Sequence, residues 1–303
     1  MSSERRHLLL CNPSSGGGRS ARLLPEVERQ LEVQGLASRT VMTRSLEHGI
    51  DEALRAGKAG EIPVVMSGDG LIGQVGGALA ESGTTMGILP GGRGNDLARV
   101  LRIPTTPAEA VALLAKGPER RIDVGEVNGR RFLCIASIGF ESLANALANN
   151  TKLLRGNLVY AYAGLRTLVS WKHARFAVTL DGDEEVDFEG FSVSVANSRA
   201  FGGGFWMAPK AELDDGRFDI VLAGKGSKFR FLTGMPEAKK GIHVEREEVR
   251  VLRAAQVDVR ADRDFAVYAD GEHLADLPAK LRVLPGALTV IAPPGPLGGP
   301  DDT

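Results

Sequence analysis

The first third of the chain alternates short apolar runs with glycine-rich turns and amphipathic stretches. "HLLLCNPSSGGG" leads into "ARLLPEVERQLEV", "IPVVMSGDG" into "LIGQVGGALAES", and "TMGILPGGRG" into "NDLARVLRI". Strand, glycine turn and helix, repeated three times, predict a parallel sheet with helices packed on it. Past about residue 125 the pattern becomes period-two alternation. "RFAVTLDGDEEVDFEGFSVSVANSRAF", "GRFDIVLAG", "REEVRVLRAAQVDVRAD" and "FAVYADGEHL" read as antiparallel strands joined by turns. Helical spacing interrupts this β-rich half at "GNLVYAYAGLRTLVSW" and "KFRFLTGMPEAKK". The expected architecture is an α/β domain over residues 1–125, then a mainly antiparallel β domain over 126–283. The Pro/Gly-rich stretch 294–303 is expected to be a tail without fixed structure.

The three glycine turns carry the chemistry. Where parallel strands end, outward-facing backbone amides and helix N-termini form a site for anions, phosphate above all. One such loop is explained by tight turn geometry alone. Three leaving neighbouring strands favour a polyphosphate held between them. None has the Gly-Lys-Ser/Thr of a P-loop or a fitting dinucleotide fingerprint. Asp69, between Gly68 and Gly70, reads either as a helix cap or as a carboxylate facing phosphate through a cation. Asp96, in "GGRGND", poses the same choice. Two carboxylates, each one loop from the same anion, favour a Mg²⁺-nucleotide.

A chain of 303 residues suits two cores. Its net charge of −1 provides no global field for nucleic acid or an anionic membrane, so any such contact must be local. The 2 cysteines, Cys11 and Cys134, sit in apolar stretches without metal-ligand spacing, which points to a cytosolic, zinc-free protein. The apolar run near the N-terminus is too short for a signal peptide. No stretch reaches the roughly 18 apolar residues of a membrane span, so a cytoplasmic chain is expected, acting from the aqueous side.

Six ordered segments, "CNPSSGG" (11–17), "SGDGL" (67–71), "LPGGRGND" (89–96), "GF" (139–140), "NSRAFGGGFWMAPKAELDDGRFDI" (197–220) and "DGE" (270–272), resemble the diacylglycerol kinase catalytic-domain family. That family includes bacterial lipid kinases and the sphingosine and ceramide kinases, with NAD kinases as more distant relatives. The resemblance implies a nucleotide-binding α/β domain, a β-rich domain, a segment near 284–293 returning to the first, and an active site in the cleft between them. It implies a kinase using ATP and Mg²⁺, with ATP held by Asn12, Pro13, Ser14, Ser15 and Gly16, by Thr43, by Gly68, Asp69, Gly70 and Leu71, and by Gly92, Arg93 and Asn95. Asp69, Asp96 and Asp123 match acidic positions linked to Mg²⁺-ATP, and Glu272 matches the proposed general base. A structural Mg²⁺ site of bacterial members is matched by the Asp215 side chain, with the main-chain carbonyls of Glu212 and Arg217 by position.

The resemblance implies diacylglycerol as acceptor, with a sphingosine-like amino alcohol or phosphatidylglycerol as alternatives. It also implies a substrate presented at a membrane surface, a peripheral location at the inner face of the membrane, and room for a homodimer. Several positions depart from the family pattern: Ser67, Leu71, Gly73 and Gln74 replace Gly, Thr, Asn and Glu. Gly17 stands where a basic residue is usual, and Arg93 where threonine is. Gly73 and Gln74 motivate the rival reading of a nucleotide- or lipid-binding protein with impaired catalysis. Separately, "GKGSKFRFLTGMPEAKKG" (224–241) mixes lysines with Phe229, Phe231, Leu232 and Met235. It reads either as an interfacial segment or as an amphipathic helix with its apolar side inward and a solvated basic side.

Overall fold

The computed structural model describes residues 5–151 and 157–302. In the first half, strands β1 (His7–Cys11), β2 (Ser38–Met42), β3 (Ile62–Ser67) and β4 (Thr85–Pro90) alternate with helices α1 (Ser15–Val33), α2 (Leu46–Lys58), α3 (Asp69–Leu79) and the short α4 (Asp96–Val100). The strands are parallel in the order β4-β3-β1-β2. β1 and β3 are buried along their whole length, as near-continuous apolar strands covered on both faces must be. This order sets the glycine loops after β1, β3 and β4 side by side, because those three strands are neighbours.

After α5 (Pro107–Lys116), strands β5 (Glu119–Val127), β6 (Arg130–Phe132) and β7 (Ile135–Gly139) lead to helices α6 (Phe140–Asn150) and α7 (Asn157–Ser170). The stretch expected to form α7 begins at residue 156, which lies outside the described residues. Then follow β8 (Ala174–Leu180), β9 (Glu184–Ala196), β10 (Phe218–Gly224), α8 (Lys228–Lys239), β11 (Val249–Ala254), β12 (Gln256–Ala261), β13 (Ala266–Ala269), β14 (Glu272–Asp276) and β15 (Ala279–Ile291). The hydrogen-bonded path β14-β13-β7-β9-β8-β12-β15 is antiparallel throughout, with β10, β11, β5 and β6 attached to it. Its core is aromatic and β-branched: Phe132, Phe176, Phe191 and Phe218 are fully buried among valines of β8, β9 and β12.

The two halves share a strand. β15 pairs antiparallel with β12 over its first part and with β5 from Leu281 to Ile291, and on its other edge runs parallel to β4 at Thr289 and Val290. The chain's end differs from the expected loose tail. Leu297 is 3% exposed, the Gly298 amide donates to the Val100 carbonyl at 2.7 Å, and Arg199 donates to the carbonyls of Leu297 and Gly298. Arg102 and Asp302 close the segment with an ion pair. One apolar side chain packed into the core, plus backbone groups that find partners, outweighs the Pro/Gly composition here.

Candidate active site

The three glycine loops meet at van der Waals distance. A β-carbon on Gly92 would lie 2.4 Å from the Gly68 α-carbon, and one on Gly16 would lie 2.6 Å from the Gly91 carbonyl oxygen. Only glycine allows this approach. Each loop is fixed from within. Asn12 Oδ1 accepts hydrogen bonds from the amide and hydroxyl of Ser14, Asn95 bonds both backbone groups of Gly92, and buried Ser20 donates to the Gly91 carbonyl. Asn95 adopts a left-handed conformation to do so. The Ile72 amide donates to the carbonyl of Gly68, the residue just before α3, so the amides of Asp69, Gly70 and Leu71 belong to the donor-bearing first turn.

Within this cluster the expected residues divide. Ser15 and Gly16 sit at the meeting point with Gly68 and Gly92. Pro13 and Ser14 are exposed at its rim. The Leu71 side chain turns away into the core against Gly49, leaving only its backbone for the loop. Thr43 is buried beside the end of β1, and its amide and hydroxyl both donate to the Cys11 carbonyl. Arg93 is exposed, yet its Nη2 comes within 3.3 Å of where a Gly17 β-carbon would be. A guanidinium is therefore supplied to the first loop from the third, beside the very position that lacks the usual basic residue.

The two carboxylates of the loops are joined. Asp69 caps the neighbouring helix rather than its own: its Oδ1 accepts from the amides of Asp96 (2.6 Å) and Leu97 (3.4 Å). Asp96 reaches across to the β-rich half, where its two oxygens accept from the Gly203 and Gly204 amides, each at 2.8 Å. Asp69 Oδ2 and Asp96 Oδ2 both face Gly94, lying 2.8 and 3.2 Å from where its β-carbon would stand. Burial, together with the charges of Asp96 and Asp270, raises the pKa of Asp69. Burial also raises that of Asp96, against the pull of the two glycine amides. Two carboxylates desolvated side by side, around a gap that a single methyl would fill, are suited to a divalent cation.

Glu272 arrives from the other half. The turn between β13 and β14 is the two-residue hairpin Asp270-Gly271, both residues at positive φ. It sets Glu272 Oε1 3.7 Å from the place of a Gly70 β-carbon, so an exposed carboxylate faces the second glycine loop. The turn is anchored by Asp270, whose carboxylate accepts from the Leu133 and Cys134 amides at 2.7 and 3.0 Å. Burial pushes the Asp270 pKa up to about 6. In the sequence Asp270 stands only as the first residue of the "DGE" segment, with nothing to announce this anchoring role. The roles of Gly203 and Gly204 were not legible either, although the run "FGGGF" of glycines between aromatics stands at 201–205.

Asp123 is placed differently from Asp69 and Asp96. Its two oxygens accept from the Gly286 and Gly216 amides at 2.6 and 2.7 Å, and its charged neighbours are Asp215 and Asp214. It ties β5 to the 212–219 loop and to β15. In that loop Asp215 accepts from the Arg217 amide and pairs with Arg253. Nearby Asp219 is buried, its Oδ2 lying 3.7 Å from Arg253 Nε with no hydrogen bond among the described residues, and burial raises its pKa to about 6 despite Arg253. The carboxylates of this loop face guanidinium groups, Asp215 and Asp219 that of Arg253 and Glu212 that of Arg199.

Comparison with known proteins agrees with this anatomy. Residues 6–127 match the model of the diacylglycerol kinase catalytic domain, and residues 134–292 that of the YegS C-terminal NAD kinase beta sandwich-like domain. Diacylglycerol kinase of Mycobacterium tuberculosis is 32% identical, over 95% of this chain and 97% of its own. That of Bacillus subtilis is 28% identical, over 95% and 97%. The chain belongs to the diacylglycerol kinase family. It is a lipid kinase. A solved structure of a diacylglycerol kinase from Bacillus anthracis shares the fold, with TM-score 0.75 and 23% identity over 97% of this chain and 99% of that one. An NAD kinase from Archaeoglobus fulgidus in complex with ATP shares it more distantly, with TM-score 0.53 and 14% identity over 94% and 93%.

Proposed function

We propose that this lipid kinase transfers the γ-phosphoryl group of ATP, with Mg²⁺, to the hydroxyl of diacylglycerol, giving phosphatidic acid. The observation that carries the reading is the approach of Glu272 to Gly70: a carboxylate from one half stands over the glycine loops of the other. In this mechanism the α3 N-terminal amides and the meeting loops bind the phosphates, with Arg93 adding charge. Glu272 takes the proton of the acceptor hydroxyl as its oxygen bonds to the γ-phosphorus and the bond to the bridging oxygen of ADP breaks. Asp69 and Asp96 would hold Mg²⁺, which supplies neutralisation of phosphate charge when bound. Asp215, with the carbonyls of Glu212 and Arg217, would hold a second, structural ion. Mg²⁺, diacylglycerol as acceptor, membrane presentation and a cytoplasmic, peripheral location all belong to this proposal.

The impaired-kinase reading loses its motive at Gly73. That departure makes room for Asp270, which anchors the turn carrying Glu272. The test is phosphate transfer from labelled Mg·ATP to micelle-presented diacylglycerol, phosphatidylglycerol and sphingosine, with Glu272→Gln alongside. Labelled phosphatidic acid from the wild type and none from the variant is the expected result. Equal labelling by the variant would remove Glu272 from the mechanism, and label on another lipid would replace the acceptor.

A further inference from the structure

We propose that the segment 295–302 is a strap that positions Asp96 for phosphate transfer by holding α4 in place against the β-rich half; the inference rests on the reading that Asp96 takes part in binding the Mg²⁺-nucleotide. α4 has 5 residues, about 7.5 Å of helix. A helix this short has no stability of its own, so its direction is set by whatever holds its two ends. At the first end the Asp96 and Leu97 amides donate to Asp69, and the Asp96 carboxylate accepts from the Gly203 and Gly204 amides of the β-rich half.

The other end is held by the strap. The Gly298 amide donates to the carbonyl of Val100, the last residue of α4, and so satisfies one of the acceptors that a helix end leaves unpaired. The crossing leaves no room for a side chain: a β-carbon on Gly298 would lie 2.6 Å from the Arg99 carbonyl oxygen and 3.4 Å from Arg102 Cγ. Leu297 belongs to the same buried cluster as Leu97, Val100 and Leu101. Arg102 pairs with Asp302, whose Oδ2 also accepts from the Gly299 amide.

The strap is also gripped from the β-rich half. Arg199 Nη1 donates to the Leu297 and Gly298 carbonyls at 3.1 and 3.2 Å, while its Nε donates to the Ala211 carbonyl at 2.8 Å and its Nη2 to Glu212. Arg199 precedes Gly203 and Gly204 in one stretch of chain, and its own carbonyl accepts from the Ala208 amide. Trp206, Ala208 and Ala211 share the cluster that takes in Leu297. One guanidinium therefore fixes the strap to the stretch that receives the Asp96 carboxylate, while the strap backbone fixes α4, which presents it. A carboxylate accepting two bonds from neighbouring amides has a narrow range of positions that meets both, so a displacement of α4 would part them.

The experiment compares Gly298→Ala and Asp302→Ala with Val186→Ala, which weakens the fold in the other core cluster, away from α4. Asp302 is exposed, so its variant should fold even if Gly298→Ala does not. The first readout is native-state amide hydrogen exchange without nucleotide. Gly298→Ala should speed exchange at Gly203 and Gly204 about tenfold relative to the amides of β3, Asp302→Ala should do so less, and Val186→Ala should not. The second readout is transfer to micelle-presented diacylglycerol. Gly298→Ala should lower kcat about tenfold and raise the Mg²⁺ concentration for half-maximal rate, with KM for the lipid within about twofold of the wild type. Combined with Asp96→Asn it should lose no more than Asp96→Asn alone, since both act at one carboxylate. Unchanged exchange at the two glycines in both strap variants would overturn the proposal, as would a Val186→Ala kinetic profile matching that of Gly298→Ala, or additive losses in the double variant. Faster exchange with full turnover, in Gly298→Ala and in Asp96→Asn alike, would instead remove Asp96 from the nucleotide site and the strap from phosphate transfer.

Discussion

Asp270 Oδ2 lies 2.6 Å from where a β-carbon on Gly73 would be, and its own Cβ and Cγ follow at 2.9 and 3.0 Å. The glycine in α3 and the carboxylate in the β13–β14 turn thus occupy one space. Gly73→Ala should displace the turn and with it Glu272. We expect a stability loss of about 1–3 kcal/mol by denaturant melting and a fall in kcat larger than any change in KM for ATP. An alanine variant with wild-type kcat would show that the turn does not position the base.

Asp270 should also mark the pH dependence of stability. Its folded pKa, about 6, lies above the 3.8 of an unperturbed carboxyl. The folded state therefore prefers the protonated form, so this group's contribution favours folding below about pH 4 and is lost as pH rises through 6. Asp270→Asn should flatten the stability profile between those limits. The comparison needed is chemical denaturation of both proteins across that range.

Asp69 and Asp123 should separate function from structure. Asp69→Asn removes a charge that burial and neighbouring carboxylates disfavour, so it should fold as well as the wild type or better while losing Mg²⁺-dependent turnover. Asp123→Asn keeps one acceptor for two backbone amides. It should cost about 1–3 kcal/mol in stability and leave the turnover of the folded fraction largely intact. Paired melting and initial-rate measurements read both effects.

Arg93 should matter through its reach to the first loop. Arg93→Ala is expected to raise KM for ATP about tenfold, the scale of one lost charge-assisted hydrogen bond, with kcat less affected. Arg93→Lys should recover part of the loss. An unchanged KM in the alanine variant would assign the guanidinium to solvent.

What could be read beforehand, and what could not, follows from chain distance. The glycine loops after β1, β3 and β4 were legible because strand, turn and helix are local patterns, and because three glycine turns have few reasons to coincide. The position of Glu272 came through the resemblance, not from periodicity. The Asp270–Gly73 contact was hidden, since neither residue's neighbours announce a partner so far along the chain. Gly73 looked like a loss where it is an accommodation. Arg93 and Gly17 were each noted as departures, and only the fold shows that one stands beside the other. The tail's order was not legible because composition weighs Pro and Gly equally everywhere, whereas the burial of Leu297 in the core and the hydrogen bonds of Gly298 decide the outcome.

β15 has a consequence for how the protein is made. Its residues complete the antiparallel sheet through β5 and β12 and then the parallel one through β4. A nascent chain that has not yet reached Ala279 therefore has open edges in both halves, including the sheet that carries the three glycine loops. The proposed phosphate-binding loops, although they lie in the first third of the sequence, sit in a sheet completed by a strand that is synthesised long after them.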